Sequence, residues 1–258
     1  MQPNVEGIRA ERDRVDATQT GSQPAKTLLE KSRVKLQELG RLNAATDALI
    51  SGRVQKVLTD QAAVRLVVLA AAIGLRHCQF RRCPTAYYSW TLEQRRQYLE
   101  PAPTVYHLCK SLVLENIRVT DQDGSACSSV APLYVCVVLP YPARLHADKV
   151  TQAVRSSPEL CTCFPVSRSQ IRYQVAAAET CEQLTGYGYN AVTPLGMRTP
   201  MPILVASALV TWLQRCGDDF FWLGGGATDL KLNVSLSEFI DTFSRINRLP
   251  VLIRDVTY

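Results

Sequence analysis

The chain is poor in the residues and motifs on which many catalytic sites are built. Its 258 residues include only three histidines, His77, His107 and His146. A serine-hydrolase triad needs a histidine, and none of the three sits in a stretch that reads as a site. No GxSxG, HExxH or DFG occurs. The glycine runs do not fit GxGxxG or GxxxxGKS/T, which disfavours those two modes of nucleotide-phosphate binding. Long apolar runs are missing as well: the longest, Leu66–Leu75, falls well short of the ~20 residues a membrane helix needs. Val5–Asp16 is polar and charged, with no apolar core of a secretory signal, so a cytosolic, membrane-free location is expected.

Cysteine is plentiful but unorganised. The nine cysteines are odd in number and irregularly spaced, and no CxxC occurs. Cys78-x4-Cys83 beside His77 is the one cluster that suggests zinc, and it has no matching second half. The expectation is small buried hydrophobes in a reduced compartment, with no metal and no cofactor. A net charge of +6, from 29 basic and 23 acidic residues, permits an anionic partner without demanding one. At 47% hydrophobic and 20% charged, the composition is that of an ordinary globular protein.

Three parts are expected along the chain. Residues 1–23 read as a flexible leader. Residues 24–76 read as a helical extension: leucines, isoleucine and valines recur at helical spacing from Leu29 to Val57, and Gln61–Leu75 is more fully apolar. This extension could pack on the chain's own core or dock to a partner. Residues 77–258 alternate strands and short helices, which makes the class mixed α/β. Arg76, His77, Arg81 and Arg82 form the densest basic patch, near a turn at Pro84. Helices are predicted over Thr91–Leu99, Ala147–Ser156 and Ala176–Leu184, the last ending at Thr185-Gly186. Another begins at the capping-box signature Ser235-x-x-Glu238 and runs through Phe243. Strands are predicted at Leu108–Glu115, Leu133–Leu139, Gln170–Gln174, Ile203–Val205, Phe220–Leu223, Lys231–Val234 and Leu249–Val256. Asp121–Ser129 reads as the polar hairpin loop between the first two.

Three stretches stand out chemically. LTGYGYNAVTPLG (Leu184–Gly196) packs three glycines, an Asn and a Pro into thirteen residues, which lets backbone approach a ligand. HLCKSLVLE (His107–Glu115) places Lys110 on one strand face with Leu108, Leu112 and Leu114. A lysine among leucines is expensive to bury unless an anion meets it. It reads either as an edge lysine reaching for solvent or as a fixed cation at a pocket floor. FWLGGGATDLKL (Phe221–Leu232) supplies a second glycine turn followed by Asp229, most simply a turn residue bonding its own backbone. A site of this kind has no obvious nucleophile and one cation, and suits an already activated substrate such as an aminoacyl ester.

In their order and spacing, LCKSLVLE, LTGY…AVTPLGM…PILV and FWLGGGATDLKL resemble the YbaK/ProX family. That family comprises trans-acting aminoacyl-tRNA deacylases and the editing domain inserted in bacterial prolyl-tRNA synthetases. The resemblance covers roughly Tyr87 to Phe243 and is greatest to the eukaryotic branch, leaving Met1 to about Leu75 outside it. It implies a YbaK/ProRS-type editing domain with a mixed β-sheet core, preceded here by the helical extension. The implied activity is hydrolysis of an amino acid wrongly esterified to tRNA, without a metal. Lys110 matches the lysine implicated in binding the tRNA 3′ end. Ala191, Val192, Thr193, Pro194, Leu195 and Gly196 match the loop that shapes the pocket and positions water. Thr185, Gly186 and Tyr187 match the helix-ending turn; Gly225, Gly226 and Asp229 match the second turn and its acid.

The catalytic set so implied is Lys110, Asn190, Ala191, Thr193 and Pro194. The substrate-binding set is Thr185, Gly186, Tyr187, Gly196, Gly225, Gly226 and Asp229. One departure is visible: Asn190 stands where bacterial members have the first glycine of a GxxxP loop. Asn best tolerates a left-handed backbone among non-glycine residues, so the loop shape is expected to survive, with a polar side chain added at the pocket mouth. The function implied is trans-editing of a small amino acid such as alanine, cysteine or serine, on proline tRNA. The alternative is an editing fold that has lost activity and serves as a tRNA-binding subunit, its N-terminal helices docking to a synthetase or multi-synthetase complex.

Overall fold

The structure, a computed structural model, describes residues 61–118, 131–161, 167, 169–247 and 249–258, which belong to a compact unit from Val57 to Tyr258. Residues 1–23, residues 24–60 of the extension and the Asp121–Ser129 loop lie outside the described residues. Helix α1 (Gln61–Ile73) ends at Gly74, whose φ of 85° breaks the helix. Its Leu66 and Ala70 are buried in the largest apolar cluster of this unit.

Strand β1 (Cys78–Arg82) was not predicted. The segment reads as a basic patch because two arginines end a five-residue run, yet alternation places Phe80 opposite Leu232 in an antiparallel pair with the strand Leu230–Ser235. The basic groups are drawn apart: Arg81 donates to the Tyr98 carbonyl (2.6 Å), and Arg82 pairs with Asp229. A 3-10 turn (Thr85–Ser89) leads to α2 (Leu92–Tyr98). Thr91 caps this helix as predicted, through a reciprocal capping box with Gln94. A second 3-10 turn (Val105–His107) precedes β2 (Cys109–Asn116), which pairs antiparallel with β3 (Tyr134–Pro140). Then follow α3 (Ala147–Arg155), β4 (Tyr173–Val175), α4 (Ala178–Thr185), β5 (Ile203–Ala206), α5 (Ser207–Cys216), β6 (Phe220–Gly224), β7 (Leu230–Ser235), α6 (Leu236–Asn247) and β8 (Val251–Arg254).

Five strands form a mixed sheet in the order β4-β2-β3-β5-β8, antiparallel from β4 to β3 and parallel from β3 to β8. Strand β5, ILVA, is buried at every position, as a parallel strand covered on both faces must be. Side chains alternate across this sheet. Leu114, Val135, Val137 and Leu204 face one cluster with α3, while Val113, Cys136, Val138 and Ile203 face the larger cluster with α1, α5 and α6. The second sheet, β1-β7-β6, contributes Phe221, Leu223, Leu232 and Val234 to that larger cluster. The two sheets meet where Leu108 bridges Trp222, just before β2 begins. That seam opens into a cavity.

Candidate functional site

The cavity, of about 390 Å³, lies between Cys109–Val113 of β2, the Val175–Cys181 segment that leads into α4, and a lip formed by Tyr187–Asn190 and Val192. Tyr141, after β3, and Gly224, ending β6, complete it. Its size falls at the small end of ligand cavities, roughly 300–1,000 Å³.

Lys110 is half-buried on the cavity wall. Among the described residues its ammonium has no carboxylate and no hydrogen-bond acceptor; its nearest aromatic neighbour is Tyr141, with the ring centroid at 6.0 Å. Burial holds its pKa below the usual lysine value. Ser111 also lines the cavity, and its buried hydroxyl has no hydrogen-bond partner among the described residues. The thiols of Cys109 and Cys181 lie here too, and burial pushes both upward, so they are protonated and weak as nucleophiles at neutral pH.

Local rules build the lip. Helix α4 ends at Gly186 with φ 76°, in the left-handed conformation that the predicted stop requires. Thr185 is fully buried: its hydroxyl donates to the Cys181 carbonyl (2.7 Å) and accepts from the Tyr187 N–H (3.1 Å). Tyr187 reaches across the loop to donate to the Leu195 carbonyl (2.5 Å). Asn190 has φ 63°, so asparagine does hold the left-handed position expected of it. Asn190 lines the cavity; its carboxamide has no hydrogen bond to the described residues, while its backbone carbonyl accepts from the Tyr88 hydroxyl (2.8 Å). The Ala191 N–H donates to the Gly188 carbonyl, and the Ala191 carbonyl accepts from the Gly226 N–H, each at 3.1 Å.

The two glycine-rich stretches therefore meet, backbone on backbone. A Cβ on Gly224 would lie 2.3 Å from the Val192 carbonyl oxygen, and one on Gly226 would lie 2.1 Å from Leu66 of α1. Of the residues expected from sequence, Lys110, Tyr187 and Asn190 line the cavity. Thr185, Gly186, Ala191, Thr193, Pro194, Gly196, Gly225 and Gly226 do not line it; Thr193 is fully buried and accepts from the Leu195 N–H (3.4 Å). Asp229 is directed away, to Arg82.

Solved structures place this arrangement among known folds, although no family profile and no curated relative matches the sequence. A crystal structure of a candidate trans-editing enzyme for prolyl-tRNA synthetase superposes with a TM-score of 0.55 at 18% identity, covering 77% of this chain and 98% of that one.

The fold is the YbaK-type editing fold.

A protein from a study that grafted linear epitopes onto scaffolds (TM-score 0.55, 17% identity, 77% of this chain and 99% of that one) has the same fold. So does a hypothetical protein (0.51, 17%, 75% and 99%). Within the editing fold, sequence reasoning missed Tyr88 and Lys231, which back the lip. A signal was present: Lys231 sits between Leu230 and Leu232 much as Lys110 sits in its own apolar strand. The zinc cluster suggested by Cys78 and Cys83 does not bring three ligands together. Among the described residues, the one group of three candidate ligand atoms is His107, Cys216 and Asp218, within 4.8 Å of one another. The His107–Asp218 hydrogen bond, 3.1 Å, already accounts for two of them. Among the described residues no helix is long and apolar enough to cross a membrane.

Proposed function

We propose that the chain is a trans-acting aminoacyl-tRNA deacylase that hydrolyses the ester linking a small amino acid such as alanine, cysteine or serine to tRNA, with proline tRNA the leading carrier. The observation that carries this reading is Lys110, whose ammonium is unpaired among the described residues, on the wall of a largely apolar cavity that Asn190 also lines. An unpaired, partly desolvated cation is costly to maintain and is matched by an anionic ligand group. The phosphate of a tRNA 3′ end, or the oxyanion that forms at the ester carbonyl, supplies that charge.

In the reaction so proposed, water held at the lip attacks the ester carbonyl carbon. The resulting oxyanion is stabilised electrostatically, and the bond from carbon to the terminal ribose oxygen breaks. The ribose oxygen takes up a proton, and the free amino acid leaves. The neighbouring ribose hydroxyl of the substrate assists the proton transfer, so the cavity needs no protein nucleophile. The raised thiol pKa values of Cys109 and Cys181 are consistent with that division of work. Lys110, Tyr187 and Asn190 contact the substrate on this reading. Thr185, Gly186, Ala191, Thr193, Pro194, Gly196, Gly225, Gly226 and Asp229 act by keeping the lip and its supporting turn in shape. A cytosolic site of action and docking of residues 24–76 to a synthetase complex belong to the same proposal.

Deacylation assays with alanyl-, cysteinyl- and seryl-tRNA test it. The expected result is hydrolysis of at least one ester by the wild-type chain and its loss in Lys110→Ala; equal activity of that variant overturns the mechanism. Asn190, in place of the loop glycine, favours a second reading as a tRNA-binding module without catalysis. That reading requires retained tRNA binding with no ester cleaved.

A further inference from the structure

Behind the lip lies a second lysine that the proposed chemistry does not use. Lys231 is on β7, in register with Arg81 of β1 on one side and Gly224 of β6 on the other. It is only 4% exposed. Its ammonium is 2.5 Å from the Tyr88 hydroxyl, 3.4 Å from the Thr228 carbonyl, and 4.6 Å and 5.2 Å from the ring centroids of Tyr88 and Tyr87. An ammonium has three donors and no acceptor. The Tyr88 oxygen must therefore accept from Lys231, which commits the phenolic proton to an acceptor beyond it. The Asn190 carbonyl stands there at 2.8 Å, and the Tyr141 hydroxyl is a second side-chain partner of Tyr88. Tyr88 is itself clamped: Arg95 donates to its backbone carbonyl (2.6 Å) and lies 5.1 Å from its ring centroid.

We propose that Lys231 is a positioning residue for the editing site: through Tyr88 it fixes the Asn190 carbonyl, and so the left-handed backbone of the lip at the cavity. The catalytic consequence rests on the deacylase reading; the positional one does not. The Asn190–Ala191 peptide is held at both ends, by Tyr88 at its carbonyl and by Gly188 at its N–H. A left-handed residue held in this way has a fixed Cα–Cβ direction at the lip of the cavity. The relay also has a sign. Burial lowers the Lys231 pKa to about 8; Arg95 adds to this, while Cys83 and Asp229 oppose it. Of the groups around it and Tyr88, Cys83 is pushed up to about 11, Tyr87, Tyr88 and Tyr141 are raised by burial, and the guanidinium groups of Arg81 and Arg95 are nearby. A neutral Lys231 gains a lone pair and can accept the Tyr88 proton, which withdraws it from Asn190.

Lys231→Met, Tyr88→Phe and the double variant of the full chain test this. Amide hydrogen exchange is read over residues 188–192, and kcat and KM are measured on the best ester from the deacylation panel. Exchange should rise about tenfold in all three variants. The loss in kcat/KM should be about tenfold and fall mainly on kcat, with the double variant no worse than either single. After subtraction of spontaneous ester hydrolysis, wild-type kcat should decline above about pH 8, and the Lys231→Met profile should lack that limb. Unchanged exchange in both single variants overturns the relay, as do additive losses in the double variant. If wild type cleaves no ester, exchange decides alone: faster exchange supports the relay and unchanged exchange overturns it.

Discussion

Lys110 and Lys231 look alike in sequence, each a single cation inside an apolar strand, and the fold treats them in opposite ways. Lys110 is half-buried and meets no anion or acceptor among the described residues. Lys231 is buried and meets a hydroxyl, a carbonyl and two aromatic faces. A lysine pattern of this kind reports that a cation is being held; its neighbours decide whether the charge is offered to a ligand or consumed by the protein. The same contrast runs through the cavity walls. The β2 wall offers an unpartnered ammonium and an unpartnered hydroxyl, whereas the lip has its key backbone groups tied to Tyr88, Gly188 and Gly226.

The largest effect that would sharpen this comparison is on activity. Lys110→Ala should lower deacylation by about a hundredfold or more, the scale of removing one group that stabilises an oxyanion. The thermal midpoint should stay level or rise, because no partner is orphaned; a large fall in stability would make Lys110 structural.

For Lys231→Met the two readouts should move in opposite directions. Holding a buried lysine at about 8 instead of 10.5 corresponds to up to about 3 kcal/mol against the charged folded state. After the lost hydrogen bond to Tyr88, the variant should gain about 1–3 kcal/mol at pH 7 by chemical denaturation. Between about pH 8 and 10.5 the unfolded chain binds the additional proton at this site, so Lys231 adds a climb with pH to wild-type stability, set against the fall contributed by the buried thiols and phenols. The Met variant should not show that climb.

Gly224→Ala tests whether the lip depends on close backbone approach. Its Cβ would fall 2.3 Å from the Val192 oxygen, so a loss of about 2 kcal/mol is expected. Gly188→Ala, where nothing lies within 4 Å, should be close to neutral. The smallest effect separates backbone from side chain at Asn190. Asn190→Ala should cost about 1 kcal/mol for alanine in a left-handed position, and Asn190→Gly nearly none. Both should lose deacylation about equally, because both lack the carboxamide.

Much of the fold was legible because its signals are local. Thr91 capped its helix, Gly186 ended its own, and β2 and β3 emerged from apolar, β-branched runs. What stayed hidden depended on partners distant in sequence. Strand β1 is short and rich in arginine, and only pairing with β7, some 150 residues on, makes it a strand. The Ser235–Glu238 signature was half right: Ser235 accepts from the Glu238 N–H, but the Glu238 carboxylate reaches the N–H groups of Arg76 and His77. At the site, Lys110 and the glycine loop announced themselves by composition. Lys231 carries the same pattern, but its meaning lies in Tyr88, far off along the chain.

Helix α1 changes what counts as the working unit of this protein. Leu66 and Leu69 supply the floor beneath Gly196 and Gly226, so the lip rests on a helix upstream of the stretch that resembles the editing family. A fragment trimmed to that stretch would keep the strand that bears Lys110 and lose the surface against which the two glycine turns are pressed. For anyone grafting this pocket into another protein, or comparing pockets across the fold, the boundary belongs before Gln61. The first turns of the chain's described part are, in effect, the support behind the lip of its cavity.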